Sequence, residues 1–191
     1  MSNSCKPQIL AKTTVASSRL FSIEQLDLQF SNGVRCSYER LAPRLDTRSV
    51  MIFPILDATR FLLIREYAAG TEDYVLGFPK GGVAIAEDCA MAANRELMEE
   101  AGYRARKLSY LTGLASSPSY SNHVMEVYIG NDLVPEKLPG DEPEPMEVIP
   151  WRFDAIDALL AREDFIGVRD IAVLLLVWKQ RLHNHQNHHC K

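Results

Sequence analysis

Apolar and polar residues alternate along this chain with two different periods, and the change of period marks its organisation. Phe21, Ile23, Leu26, Leu28 and Phe30 give an imperfect period-two pattern, that of a strand with one face in solvent. Ser31-Asn32-Gly33 supplies a hairpin turn before a further strand-like run at 34–41. β-prone apolar runs follow at 50–56 and 61–67, joined by Asp57-Ala58-Thr59. A short one at 74–76 leads into a loop, Gly77-Phe78-Pro79-Lys80-Gly81-Gly82. From 87 to 101 the spacing lengthens. Ala90, Ala93, Leu97 and Ala101 share one face of an amphipathic helix whose small alanines permit close approach to a sheet, and Met91 and Met98 form a second apolar stripe. Glu87 and Asp88 suit the positive end of that helix, and Gly102 suits its stop. Strands are expected again at 108–114 and 124–129, then a Pro-rich loop at 134–145. Helices are expected at 153–160 and 168–182, the second carrying Ile171, Leu174, Leu175 and Trp178.

The chain of 191 residues is 47% apolar and 24% charged, so it can bury a core without disulfide or metal staples. Its net charge of −4 disfavours a nucleic-acid backbone as partner, which requires a basic stripe. The start, Met1-Ser-Asn-Ser-Cys-Lys-Pro, has no apolar run of signal-peptide length, and the longest apolar stretch, 171–178, falls far short of the ~20 residues that span a membrane. Cys5, Cys36, Cys89 and Cys190 are scattered without metal spacing, which suits reduced thiols in a cytoplasmic compartment. The expected organisation is an N-terminal strand arm (1–45), a main domain (46–183) and a disordered His-rich tail (184–191).

The chemistry concentrates between 81 and 103. At 100° per residue, Glu96, Glu99 and Glu100 span roughly a 100° sector of helix surface. Each like-charge pair at i,i+3 or i,i+4 costs about 0.2–0.5 kcal/mol, so a positive group is expected there. A hard divalent cation, which takes carboxylate oxygens and leaves room for phosphate, fits. The stretch also resembles, position for position, the signature of the Nudix hydrolases: Gly81, Glu87, Arg95, Glu96, Leu97, Glu99, Glu100, Gly102 and then Tyr103, aromatic where an aliphatic residue is usual. Seven fixed identities at ordinary residue frequencies arise by accident roughly once in a million chains of this size, which sets aside a merely solvated acidic face.

That resemblance implies an α+β Nudix fold, a mixed β-sheet sandwiched between helices, here with an N-terminal β-strand extension. It implies hydrolysis of a nucleoside diphosphate linked to another group, with Mg²⁺ (Mn²⁺ as the alternative) as cofactor. Glu96 and Glu100 would be the principal metal ligands, joined by the backbone carbonyl of Lys80 and by Glu99, which is a second ligand or a water-activating base. Arg95 would orient a box carboxylate, and Gly81, Glu87 and Gly102 would shape the loop and the helix end. In the ADP-ribose hydrolases the base often lies in a downstream loop, where this chain has Glu142 and Glu144; a Pro-spaced acidic loop is equally compatible with simple solvation.

Pro118, sixteen positions after Gly102, resembles a marker of ADP-ribose hydrolases, and Tyr120 one of diadenosine polyphosphate hydrolases; a plain Ser/Pro turn is the other reading of that segment. Arg40 and Arg65 follow strand-like stretches and are candidates for substrate phosphates or ribose, or ordinary surface arginines. Taken whole, the sequence resembles the NudE-type ADP-compounds hydrolases of this family. Segments that carry the likeness include Ser18-Arg19-Leu20-Phe21, Leu63-Ile64-Arg65-Glu66-Tyr67 and Gly140-Asp141-Glu142-Pro143-Glu144-Pro145. This implies ADP-ribose, diadenosine polyphosphates and NADH as substrates with AMP released, and a homodimer paired partly through the arm. A nucleotide sensor without hydrolysis and a nucleotide-sugar hydrolase are the alternatives. Two departures stand out: Val75 replaces a glutamate common in ADP-sugar hydrolases, and Val83-Ala84-Ile85-Ala86 lacks the usual Pro-Gly before Glu87.

Overall fold

A computed structural model describes residues 5–42, 48–140 and 143–188, with backbone only from 184 onward. The chain divides into two compact units, Met1–Asp46 with Ser117–His123, and Thr47–Ser116 with Val124–Lys191. The first unit is an antiparallel sheet in the order β1 (Gln8–Ser17), β2 (Ser22–Gln29), β3 (Arg35–Leu41). The Asn32–Gly33 turn joins the last two as its sequence requires, with Gly33 at φ +84° and the Asn32 side chain accepting from Val34 N at 3.1 Å. The first strand escaped the periodicity because every residue in it is exposed, so no alternation was imposed on it.

In the second unit, β4 (Ser49–Pro54), β7 (Lys80–Gly82), β8 (Tyr103–Ala115) and β9 (Val124–Pro135) form a sheet ordered β7-β4-β9-β8. It is mixed, because β4 and β9 run parallel while the other pairs are antiparallel. A second, antiparallel sheet is ordered β10 (Glu147–Arg152), β5 (Arg60–Ala68), β6 (Asp73–Gly77). Strands β4 and β5 are apolar at consecutive positions because both of their faces are covered. Met51, Phe53, Phe61 and Leu63 pack with Ile156, Leu159, Val173, Leu174 and Val177, whereas Val50, Ile52, Leu62 and Ile64 pack with Ala92, Ala93, Leu97 and Ala101. Helix lies on both sides of the strands: α1 (Cys89–Glu96) on one, α2 (Ile156–Leu160) and α3 (Val168–His188) on the other. This is the expected helix–sheet–helix sandwich.

Several boundaries differ from the sequence expectation. The loop expected at 77–82 closes as the short strand β7, and the loop expected at 134–145 begins only after Pro135. Strand β10 was not foreseen; its Pro150 sits on an edge strand, where a missing N–H is tolerated. The helix expected at 153–160 opens with a 3₁₀ turn, Phe153–Ala155. Helical backbone in α3 runs on to His188, into the stretch that composition assigned to a disordered tail. Met91 is 69% exposed and does not reach a second layer. Among the described residues no helix is long and apolar enough to cross a membrane.

Candidate active site

Asp88 starts the acidic helix: its extended backbone (φ −75°, ψ 140°) and its carboxylate, accepting from Ala90 N and Met91 N, make it the N-cap. Glu87 therefore lies outside the helix and is free to turn elsewhere. The α geometry ends at Glu96, and Leu97–Ala101 is a π turn in which Gly102, left-handed at φ +72°, donates back to Leu97 O. The wider turn displaces Glu99 and Glu100 from the 100°-per-residue placement that the sequence suggested. Glu100 becomes 4% exposed and Glu96 7%, while Glu99 stays half-buried.

Arg95 organises this end of the helix. Its Nε and Nη2 donate to the two oxygens of Glu87 at 3.0 and 3.1 Å. Nη1 donates to both Glu96 Oε1 and Glu99 Oε2 at 2.8 Å, and Nη2 also reaches Gly82 O at 2.8 Å. The guanidinium holds the Glu87 carboxyl below the usual carboxylate range. Glu87 Oε2 in turn accepts from Ala84 N at 2.9 Å, which closes the 83–87 loop. Part of the positive charge expected beside the acids is thus the protein's own.

Glu100 is held differently. Lys80 N donates to its Oε2 at 3.0 Å, but burial, with Glu96 and Glu66 nearby, pushes its carboxyl up to about 8. Glu96 and Glu100 converge on the Lys80–Gly81 backbone: a Cβ added at Gly81 would collide with the Glu96 carboxylate. The Lys80 ammonium is paired with Glu66. Among the described residues no group of three or more acidic, imidazole or thiol side chains stands ready to cage a cation, and Arg95 Nη1 holds Glu96 and Glu99 alike at 2.8 Å. The donor set still fits Mg²⁺, which retains waters and takes one or two carboxylates beside substrate phosphate. Two buried carboxylates against the backbone of β7, one of them with its pKa raised by burial, are groups whose ionised forms a cation would stabilise.

The strand β9 exit is tied to the same helix end. Glu136 N donates to Gly102 O at 3.0 Å, Leu138 N to Met98 O at 3.3 Å, and the Lys137 ammonium to Glu99 O. Beyond it, Glu99, Lys137, Gly140, Pro143 and Glu144 line a cavity of about 260 Å³. The Tyr74 hydroxyl donates to Glu144 Oε1 at 2.5 Å and raises its own pKa by doing so. Glu142 lies outside the described residues.

The arginine candidates are both paired. Arg40, in the arm, donates from Nε and Nη2 to Glu24 Oε2 at 3.1 and 3.0 Å. Arg65 bridges Glu147 at 2.9 Å and Asp164 at 2.8 Å, on the wall of a 740 Å³ cavity that Tyr74, Val75 and Arg162 also line. Pro118 and Tyr120 belong to the unit of the arm and not to that of the acidic helix; Tyr120 is 66% exposed, and its carbonyl accepts from Leu41 N at 2.8 Å. Sequence reasoning missed Tyr74, Lys137 and Asp170. The last had a legible signal, a carboxylate three and four residues before Val173 and Leu174 on the apolar face of α3, where it is 7% exposed.

Comparison with known proteins gives two family matches. A model described as the NudE-type Nudix hydrolase N-terminal domain covers residues 7–40, and the NUDIX domain model covers 45–173. The chain is 48% identical over 172 residues to the ADP compounds hydrolase NudE of Escherichia coli (strain K12), spanning 90% of this chain and 91% of that one. It is 25% identical over 182 residues to the ADP-ribose pyrophosphatase of Bacillus subtilis (strain 168), spanning 94% and 97%. A crystal structure of an ADP compounds hydrolase superposes with a TM-score of 0.90 at 45% identity, over 97% of this chain and 98% of that one.

Two outcomes follow from the local geometry. Ala86, in the position before Glu87, is left-handed at φ +65°, a strain that glycine relieves. Ala86→Gly should stabilise the fold by about 0.5–1 kcal/mol in urea denaturation, the relief exceeding the added chain entropy. For Glu100, a carboxyl raised from 4.5 to about 8 binds more protons folded than unfolded between those values. Metal-free protein should therefore lose stability as pH rises through that window, by several degrees in melting temperature. Glu100→Gln should flatten the dependence.

Proposed function

The chain belongs to the Nudix hydrolase family, and on that premise we propose that it cleaves the pyrophosphate of ADP-linked compounds, releasing AMP. It is a Nudix diphosphatase of ADP compounds, a reading supported by near full-length likeness to the E. coli enzyme of that name. The observation that carries the chemistry is the pair of buried carboxylates, Glu96 and Glu100, set against the Lys80–Gly81 backbone. In our proposal these two side chains and the Lys80 carbonyl hold Mg²⁺, with Mn²⁺ as a substitute. When bound, the cation neutralises the diphosphate and orients the attacking water.

The rest falls to the protein's own groups. Arg95 fixes Glu96 and Glu99 in one geometry and ties the 82–87 loop to the helix, so little reorganisation accompanies reaction. Glu144 is our candidate for the base that takes the water proton. It shares a cavity with Glu99 and is steadied by the Tyr74 hydroxyl, whereas a Glu99 oxygen is already engaged by the Arg95 guanidinium. Glu142 stays a second candidate from the sequence. Lys137 lines that cavity and supplies positive charge beside a phosphate. ADP-ribose, diadenosine polyphosphates and NADH are the proposed substrates. Arg40, Arg65, Pro118 and Tyr120 are weaker candidates for binding them, since both arginines have carboxylate partners.

We also propose a homodimer joined through the arm. Its three strands bury only Leu26, while Ile9, Leu10, Val15, Phe21, Val34 and Tyr38 are exposed, and a lone three-stranded sheet with so small a core needs a partner surface. A cytoplasmic setting suits the scattered thiols, which are free at Cys5, Cys36 and Cys89.

Glu100→Gln should lower kcat by a factor of about 10² or more while the protein stays folded, because the cation loses a buried charged ligand. AMP release from ADP-ribose, diadenosine triphosphate, NADH and ADP-glucose, resolved chromatographically at one Mg²⁺ concentration, ranks the substrates; turnover by the variant equal to the parent at saturating Mg²⁺ would remove the ligand assignment. Sedimentation at micromolar concentration should give a dimer, and a monomer alone would contradict the pairing.

A further inference from the structure

Asp170 is a buried acid that the reaction scheme does not use. It sits in the first turn of α3, 7% exposed, among residues that otherwise pack the sheet. Its Oδ1 accepts from Phe78 N at 2.8 Å, across 92 positions of sequence. Room for the carboxylate is made on two sides by glycine. A Cβ at Gly77 would lie 2.8 Å from Oδ1, and one at Gly167 would collide with Oδ2. Burying a carboxylate in this way is costly, and a fold that needed only a packed helix end would place an apolar residue there.

What Asp170 holds is the backbone leading into the candidate cation site. Phe78 precedes Pro79, whose carbonyl accepts from Ile52 N at 2.9 Å, and Lys80, whose N–H meets Glu100 at 3.0 Å. Gly81 then passes over Glu96. The backbone from the end of β6 into β7 is thus pinned from three sides in three residues: by Asp170 at Phe78, by β4 at Pro79 and by Glu100 at Lys80.

We propose that Asp170 is a positioning residue for the divalent-cation site, fixing through Phe78 where the Lys80 carbonyl and the Gly81 backbone of β7 stand against Glu96 and Glu100. This rests on the cation reading given above. It extends the site across the sheet, from the acidic helix on one face to the start of α3 on the other.

The test is Mn²⁺ binding to the full chain, followed by the electron paramagnetic resonance signal of free Mn²⁺, together with kcat, KM and melting temperature. Asp170→Ala should weaken Mn²⁺ by about 10-fold or more and lower kcat, with substrate KM at saturating metal unchanged, as supporting groups around metal ligands typically do. Asp170→Asn keeps the Oδ1 acceptor and should stay within about threefold of the parent. Gly77→Ala, which crowds the same oxygen from the other side, should reproduce the Asp170→Ala loss, and it decides the matter if Asp170→Ala does not fold. Glu100→Gln separates the two readings. Mn²⁺ binding lost in Glu100→Gln but kept in both Asp170→Ala and Gly77→Ala, with only melting temperature lowered, overturns the role of Asp170 alone. Binding unaltered in Glu100→Gln removes the cation site itself, and the assignment with it.

Discussion

The fork of Arg95 is the constraint on which the rest of the site depends. One guanidinium gathers three carboxylates and a backbone carbonyl, joining the 82–87 loop to the helix that follows it. Without it Glu87, Glu96 and Glu99 would repel one another in a partly buried setting where such repulsion is less screened than in water. A lysine, with a point charge and three donors, cannot span this geometry. Arg95 makes no such bond to Glu100, a buried carboxyl that the surrounding protein pushes up to about 8.

The sheet gives this cluster its platform. Because β4 and β5 are buried on both faces, alternate residues serve two cores, and the strands carry no solvent face on which to slip. Strand β7 adds to the edge of β4, with Lys80 opposite Met51 and Gly81 opposite Val50. The alanines of α1 let that helix lie close enough for Glu96 to meet Gly81. Placement of the acids is therefore inherited from packing as much as from their own hydrogen bonds.

Much of this was legible beforehand, where one physical signal dominated. The helix from 89 to 101, the turn at Asn32–Gly33, the strands β4 and β5 and the acid spacing all had strong local patterns. Strand β1 was silent because its residues are all exposed, and β10 because Pro150 masked an edge position. The π turn could not be read, since a widened turn keeps the same residue types as a regular one. Arg40 and Arg65 read as available cations because their partners, Glu24, Glu147 and Asp164, lie 16 to 99 positions away. Long-range pairing is what a single sequence shows least. Tyr74 and Lys137 were missed for that reason, as each acts on a group remote in the chain.

The π turn at Leu97–Ala101 bears on any effort to harden this protein. Idealising it, by deleting one residue or tuning it towards regular α geometry, would change the rotation between Glu96 and Glu100 and move Glu100 from its buried seat. On the proposed role of Glu100, thermostability gained that way would come at the expense of the cation site, so a protein engineer should treat this irregular coil as a preserve and spend substitutions elsewhere.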